Sequence, residues 1–99
     1  MKKWKMRFTP EVSRSLSKIH PESKRQLKQA LNELQNNPYT GKDLQAELFG
    51  FKSLRLKKNR VIYAISEENN FIEIYYIGRR SDVYEQFQRL LTELQKPRD

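Results

Sequence analysis

Between Gly50 and Tyr84 the chain reads GFKSLRLKKNRVIYAISEENNFIEIYYIGRRSDVY. Three strand-like runs lie in it, Phe51–Lys57, Arg60–Ser66 and Phe71–Ile77, each rich in β-branched and aromatic residues. The breaks between them, Lys58-Asn59 and Glu67 to Asn70, carry the polar residues that turns prefer. Connections this short join only neighbouring antiparallel strands. The chain is therefore committed to a three-stranded meander, and its remaining segments must cover, support or charge that sheet.

Ahead of the meander, Trp4-Lys5-Met6-Arg7-Phe8 alternates apolar and basic residues, which predicts a half-buried strand with Trp4, Met6 and Phe8 inward, at an edge of the meander. Thr9-Pro10-Glu11 opens a helix, with Thr9 as N-cap and Pro10 in its first turn. Val12, Leu16 and Ile19 share one face of it. His20-Pro21 stops this helix and starts a second, whose apolar stripe is Leu27, Ala30, Leu31 and Leu34. A hairpin this short does not stand alone, so it must pack on the sheet. Tyr39 to Phe49 reads as a loop in which Leu44 and Leu48 pin a short helical turn. After the meander, Ser81 or Asp82 can cap a last helix with Val83, Phe87, Leu90, Leu91 and Leu94 on its buried face, closed by Pro97. The expected order is β-α-α-β-β-β-α. This is an α+β fold, a small antiparallel sheet packed against a helical hairpin with a C-terminal helix. Ninety-nine residues fit one domain spanning 1–99.

Charge points to the partner. Twenty Lys and Arg against twelve Asp and Glu leave a net +8, an excess that self-repels and suits a polyanion. It is uneven: Lys2, Lys3, Lys5 and Arg7 crowd the start, Lys52, Arg55, Lys57, Lys58 and Arg60 the first two meander strands, and Arg79-Arg80 the end of the third. The absence of cysteine excludes disulfides and thiolate metal sites. The opening MKKWKMRFTP lacks the apolar core of a signal peptide, and no run approaches the ~20 apolar residues of a membrane span. The expected setting is cytoplasmic, with no membrane partner.

Strand alternation assigns faces. Leu54 and Leu56 point one way, with Phe51, Ser53, Arg55 and Lys57 the other. Val61, Tyr63 and Ile65 oppose Arg60, Ile62 and Ala64. With the hairpin on the leucine side, Arg55 and Arg60 share the open face, and Lys52 is sent to the wrong side unless a bulge turns it.

A series of cues runs along nearly the whole chain: Phe8-Thr9-Pro10, Asn37-Pro38, Leu44, Leu48-Phe49-Gly50, Leu54-Arg55, Arg60-Val61-Ile62-Tyr63, and Ile77-Gly78-Arg79-Arg80 with Val83-Tyr84. In this order and spacing the chain resembles the RelE/ParE superfamily of toxins from type II toxin-antitoxin systems. The resemblance implies a small toxin silenced by a cognate antitoxin protein. RelE-like members cleave mRNA on the ribosome without a metal or cofactor. ParE-like members, on a similar fold, lack the nuclease residues and poison DNA gyrase. A third possibility under the same resemblance is a basic domain that has lost catalysis and only binds RNA or an antitoxin.

The resemblance maps the catalytic positions to Arg60, Arg80 and Tyr84, with Lys52, Arg55, Lys57, Lys58 and Arg79 as substrate contacts. RNA cleavage of this kind needs a group that takes the proton of the 2′-hydroxyl, cations for the crowded phosphorane and an acid for the departing 5′-oxygen. Arginine suits the phosphate because its planar fork donates two parallel, permanently charged hydrogen bonds. A tyrosine is a poor base at neutral pH unless nearby cations favour its phenolate, and it can equally stack on a splayed base. The single histidine, His20, falls in the helix-hairpin turn, where a structural role is expected. One departure matters: the best-studied nucleases of the family carry two basic residues on the face where this chain has Phe51 and Ser53.

Overall fold

The computed structural model describes residues 4–79 and 83–94. Its elements are β1 (Lys5–Phe8), α1 (Pro10–Lys18), α2 (Pro21–Asn36), β2 (Lys42–Asp43), β3 (Lys52–Arg55), β4 (Asn59–Ser66), β5 (Phe71–Arg79) and α3 (Val83–Leu94), with 3-10 turns at Pro38–Thr40 and Ala46–Leu48. The expected elements are all present. Local chemistry accounts for their ends. The Thr9 hydroxyl accepts the Val12 N–H at 3.3 Å and caps α1. Imidazole Nδ1 of His20 accepts the Glu22 N–H at 3.2 Å and caps α2, the structural role expected of this histidine. The expected cap at Ser81 or Asp82 and the stop at Pro97 lie outside the described residues.

The sheet has five strands in the order β1-β5-β4-β3-β2. The meander β3-β4-β5 is antiparallel, as its short connections require. β1 joins at the β5 edge, and this one pairing is parallel. The Tyr39–Phe49 segment, which reads as a loop, also contains strand β2. Two residues pair there with Lys52 and Ser53, which extends the sheet at its far edge.

Two layers cover the sheet. On one side Val12 of α1 with Leu27 and Leu34 of α2 packs on Val61, Tyr63, Ile72, Ile74 and Ile77. Each such side chain, fully buried, is worth about 1.5–3 kcal/mol, so this layer is the main stabiliser. Phe8 departs from the inward assignment: it is 40% exposed at the rim of the α2 side. On the other side α3 lays Val83 and Phe87 over Ile62, joined by Leu44 and Leu48 from the loop. The middle of the face expected to be open is therefore covered, while at one end Arg55 is exposed and Arg60 half-buried.

A bulge decides the end of β5. Ile62 pairs with Tyr76 but Tyr63 pairs with Ile74, leaving Tyr75 as an extra residue. Tyr75 and Tyr76 consequently both join the α3 layer, and Ile77 returns to the hairpin layer. Phe51, Tyr75 and Phe87 form edge-on contacts, with Phe51 5.0 Å from each of the other two rings.

Candidate functional site

Strand pairing sets the site. Arg55 lies opposite Arg60, and Ser53 opposite Ile62, on β3 and β4. Alternation turns all four toward the α3 side, as expected for Arg55 and Arg60. Helix α3 begins at Val83, so Tyr84 leaves its first turn toward β3. Its hydroxyl donates to Oγ of Ser53 at 3.1 Å. Nη1 of Arg60 donates to the same oxygen at 3.2 Å. The Arg60 guanidinium carbon stands 5.4 Å from the Tyr84 ring centre, within range of a cation–π contact. Arg60, Ser53 and Tyr84 thus form one connected cluster.

Ser53, which the sequence marks only as a departure from the family's basic residues, is the centre of that cluster. It is 2% exposed, and both lone pairs of its hydroxyl are engaged. A buried hydroxyl without partners would cost ~1–3 kcal/mol, so Arg60 and Tyr84 also stabilise its burial. Parity had placed it on the same face as the arginines, but nothing in a lone serine signals a shared acceptor. Nε of Arg60 is buried with no hydrogen-bond partner. Beside it, exposed Arg55 brings a second cation directly across the ladder, and like charges so placed repel.

The other basic candidates are dispersed. Lys57 follows Arg55 and shares an exposed groove with it, together with Gln26 and Leu56. Lys52 lies opposite Tyr63, on the hairpin-facing parity, and no bulge turns it back. It pairs with Asp43 and lies 5.9 Å from the Tyr39 ring. Arg79 pairs with Asn59, one residue beyond the Arg60–Gly78 pair. The β5 bulge turns it to the hairpin side, where it shares a groove with Lys58, Lys18 and His20. Arg80 lies outside the described residues. Of the expected site, the structure brings together Arg60 and Tyr84 with Arg55 alongside. It separates Lys52, Lys58 and Arg79 from them.

Three tyrosines elsewhere hold their protons more tightly than usual. Burial pushes the Tyr63 phenol up to about 12, although the Gly41 N–H bonded to it acts the other way. Its hydroxyl donates to the Pro38 carbonyl at 2.8 Å and accepts from Gly41 at 3.0 Å, which pins the loop before β2. Gly41 has to be glycine there: a Cβ would run into the Tyr63 hydroxyl and approach the Ser53 carbonyl to 3.0 Å. Tyr39 is raised first by its hydrogen bond to the Glu67 carboxylate. Tyr75 is raised by burial and then by Glu73. Among the described residues, no three His, Cys, Asp or Glu side chains are grouped to hold a metal ion, and no helix is long and apolar enough to cross a membrane.

Comparison with known proteins bears on the family and the fold. The sequence model of the family described as ParE-like toxin of type II bacterial toxin-antitoxin system matches residues 6–88. A Mycobacterium tuberculosis protein named Toxin RelE is 44% identical over 52 residues, which are 52% of this chain and 54% of that protein. The chain thus spans about half the length of the curated relative it matches. Among solved structures, the toxin-antitoxin complex RelBE2 from M. tuberculosis superposes with a TM-score of 0.73 at 30% identity, covering 79% of this chain and 99% of that one. A free mutant form of Escherichia coli toxin RelE gives 0.71 at 17% identity, covering 90% and 98%, a likeness of fold alone.

Proposed function

The chain belongs to the family of ParE-like toxins of type II bacterial toxin-antitoxin systems, and from that premise we propose that it is a ribosome-associated mRNA endoribonuclease that needs no metal ion and arrests translation. The observation that carries this reading is the junction of Arg60 and Tyr84 on Ser53, which puts a permanent cation and a phenol within one small site. Arg60, with Arg55 beside it, holds the scissile phosphate. The 2′-oxygen attacks phosphorus, a 2′-oxygen–phosphorus bond forms and the bond to the 5′-oxygen breaks. One proton leaves the 2′-hydroxyl and one arrives on the 5′-oxygen. Tyr84, fixed by Ser53, is the group in this cluster able to exchange a proton with either oxygen. Arg80 follows β5 in sequence and supplies a further cation in this proposal. The partner is an antitoxin that silences the toxin until it is removed, and the setting is the bacterial cytoplasm.

A second reading has one observation in its favour. Phe51 and Ser53 stand where RelE-like nucleases carry basic residues; Phe51 packs in the α3 layer and Ser53 is buried. On that reading the protein cleaves nothing and poisons DNA gyrase. Induction in a bacterial host, with translation, mRNA ends and supercoiling followed together, separates the two. Prompt translation arrest with new mRNA ends is the expected result. DNA damage with intact mRNA would replace the nuclease reading by the gyrase one, and neither effect would leave only a binding module.

A further inference from the structure

The end of the sheet that carries Arg60 has a second basic surface on its opposite side. Lys18 from the end of α1, His20 and Ser23 from the start of α2, Lys58 from the β3–β4 turn, and Asn59 and Arg79 from the paired ends of β4 and β5 line one groove of about 590 Å³. Segments far apart in sequence each deliver a cation or a neutral donor to it. Among the described residues no acidic side chain lines it, and Glu22, although adjacent in sequence, is not among its walls. The ion pairs among the described residues are Arg14–Glu11, Lys52–Asp43 and Arg89–Glu85, so Lys18, Lys58 and Arg79 have no carboxylate partner there. His20 accepts the Glu22 N–H through Nδ1, which leaves Nε2 of the neutral ring as a donor. Cations gathered without an acid repel one another, and a multivalent oxyanion is the ligand that turns this repulsion into attraction.

The position of the groove says which oxyanion. Asn59 pairs with Arg79, and the next pair of the ladder is Arg60 with Gly78. Adjacent strand residues rise only ~3.3 Å and face opposite sides. The groove and the Arg60–Ser53–Tyr84 cluster are therefore back to back at the same end of the sheet. We propose that the groove binds a second backbone phosphate of the RNA, so that a single strand held at Arg60 passes around the sheet end and is gripped by Lys58, Arg79 and Lys18. This rests on the nuclease reading of the Arg60 site and extends it to a track over both faces. It also gives Lys58 and Arg79 a use that their distance from Tyr84 would otherwise deny them.

The test uses the full chain carrying Tyr84→Phe, so that RNA stays intact, and a labelled single-stranded oligoribonucleotide titrated across a salt series. Each phosphate contact contributes roughly 0.7 to the slope of log affinity against log salt for a single strand. Lys58→Ala with Arg79→Ala removes the grip on that one phosphate and should lower the slope by about 0.7 and weaken binding about tenfold at low salt. Lys24→Ala with Lys28→Ala removes the same charge from α2 outside the groove and should leave the slope nearly unchanged. Equal slopes for the two double variants, with circular dichroism unaltered, overturn the RNA track. Inorganic phosphate followed by amide NMR is the second arm: saturable shifts at residues 18–20, 22, 23, 58, 59 and 79, lost in Lys58→Ala/Arg79→Ala, are expected. Saturable phosphate shifts with an unchanged RNA slope would mean a site for a free anion and not for RNA. No saturable shift would remove the site altogether. If the parent binds no RNA while phosphate still shifts the groove, the RNA track fails; the nuclease reading fails separately, if induction of the wild-type chain yields no new mRNA ends.

Discussion

Tyr84 donates its phenolic hydrogen to Oγ of Ser53 across 3.1 Å, although the two residues are 31 positions apart. That bond fastens the first turn of α3 to β3 and places the phenol beside Arg60. Helix docking and site assembly are consequently one event.

Removing the shared acceptor should disturb both. Ser53→Ala leaves Arg60 and Tyr84 without their common partner in a buried setting, which should cost about 1–2 kcal/mol of stability. Cleavage should fall by roughly the same factor as removal of a modest orienting group, about tenfold, with RNA affinity little changed. Thermal unfolding and single-turnover cleavage measured together check this. Full activity in Ser53→Ala would show that the hydroxyl positions nothing.

Arg60→Ala and Tyr84→Phe should each reduce toxicity sharply, with cleavage rates down by ~10²–10³ for loss of one charge-stabilising donor. Arg80→Ala should do the same. Arg60→Lys should not restore the rate, because an ammonium lacks the planar fork that spans phosphate and Ser53 together. Growth arrest at matched expression, followed by mapping of new mRNA ends on translating ribosomes, measures the effect. Wild-type killing by Tyr84→Phe and Arg80→Ala would remove the assigned site.

Tyr63 predicts a loss of stability in alkali. Its folded value of about 12 lies above the ~10 of an unfolded tyrosine, so the folded state holds this proton more tightly. The contribution is complete below about pH 10 and is lost as pH rises toward 12, by then roughly 2–3 kcal/mol. Tyr63→Phe loses the bonds to Pro38 and Gly41 but also this slope. Urea unfolding at pH 9, 10 and 11 should therefore show the gap between wild type and variant narrowing with pH. A constant gap would contradict it.

Phe87 is fully buried between α3 and the Phe51–Tyr75 pair. Phe87→Ala should cost about 3–5 kcal/mol if α3 stays docked, or less if the helix comes away. In the second case amide exchange should rise across 83–94 while β4 and β5 stay protected. Activity should be lost with Arg60 intact, because Tyr84 travels with the helix.

The antitoxin should carry an acidic, amphipathic segment, disordered when free, that folds on this protein and covers Arg55, Arg60 and Arg80 or displaces α3. Moderate salt should slow association more than it raises dissociation, since charge steers the encounter and apolar burial holds the complex. Hydrogen exchange with and without the antitoxin locates the contact. Protection confined to the far side of α1 and α2, sparing Arg60 and 83–94, would rule the mechanism out.

Much of this was legible from local pattern. Period-two runs with short polar breaks specify the meander, and helical spacing with Thr9-Pro10 and His20-Pro21 specifies the hairpin. Parity alone put Arg55 and Arg60 on one face. Each of these depends on residues near one another in sequence. What decided the rest was contact between distant segments. One extra residue at Tyr75 reverses the parity of everything after it in β5, which carries Arg79 to the hairpin side. Docking of α3 closes the face over Ile62, and that closure buries Ser53 and brings Tyr84 to it. Lys52 is drawn off by Asp43 on a strand no propensity announced. A side chain's direction follows from its own strand only while the ladder is regular, and a serine becomes an acceptor for an arginine and a tyrosine only when three separate elements close around it.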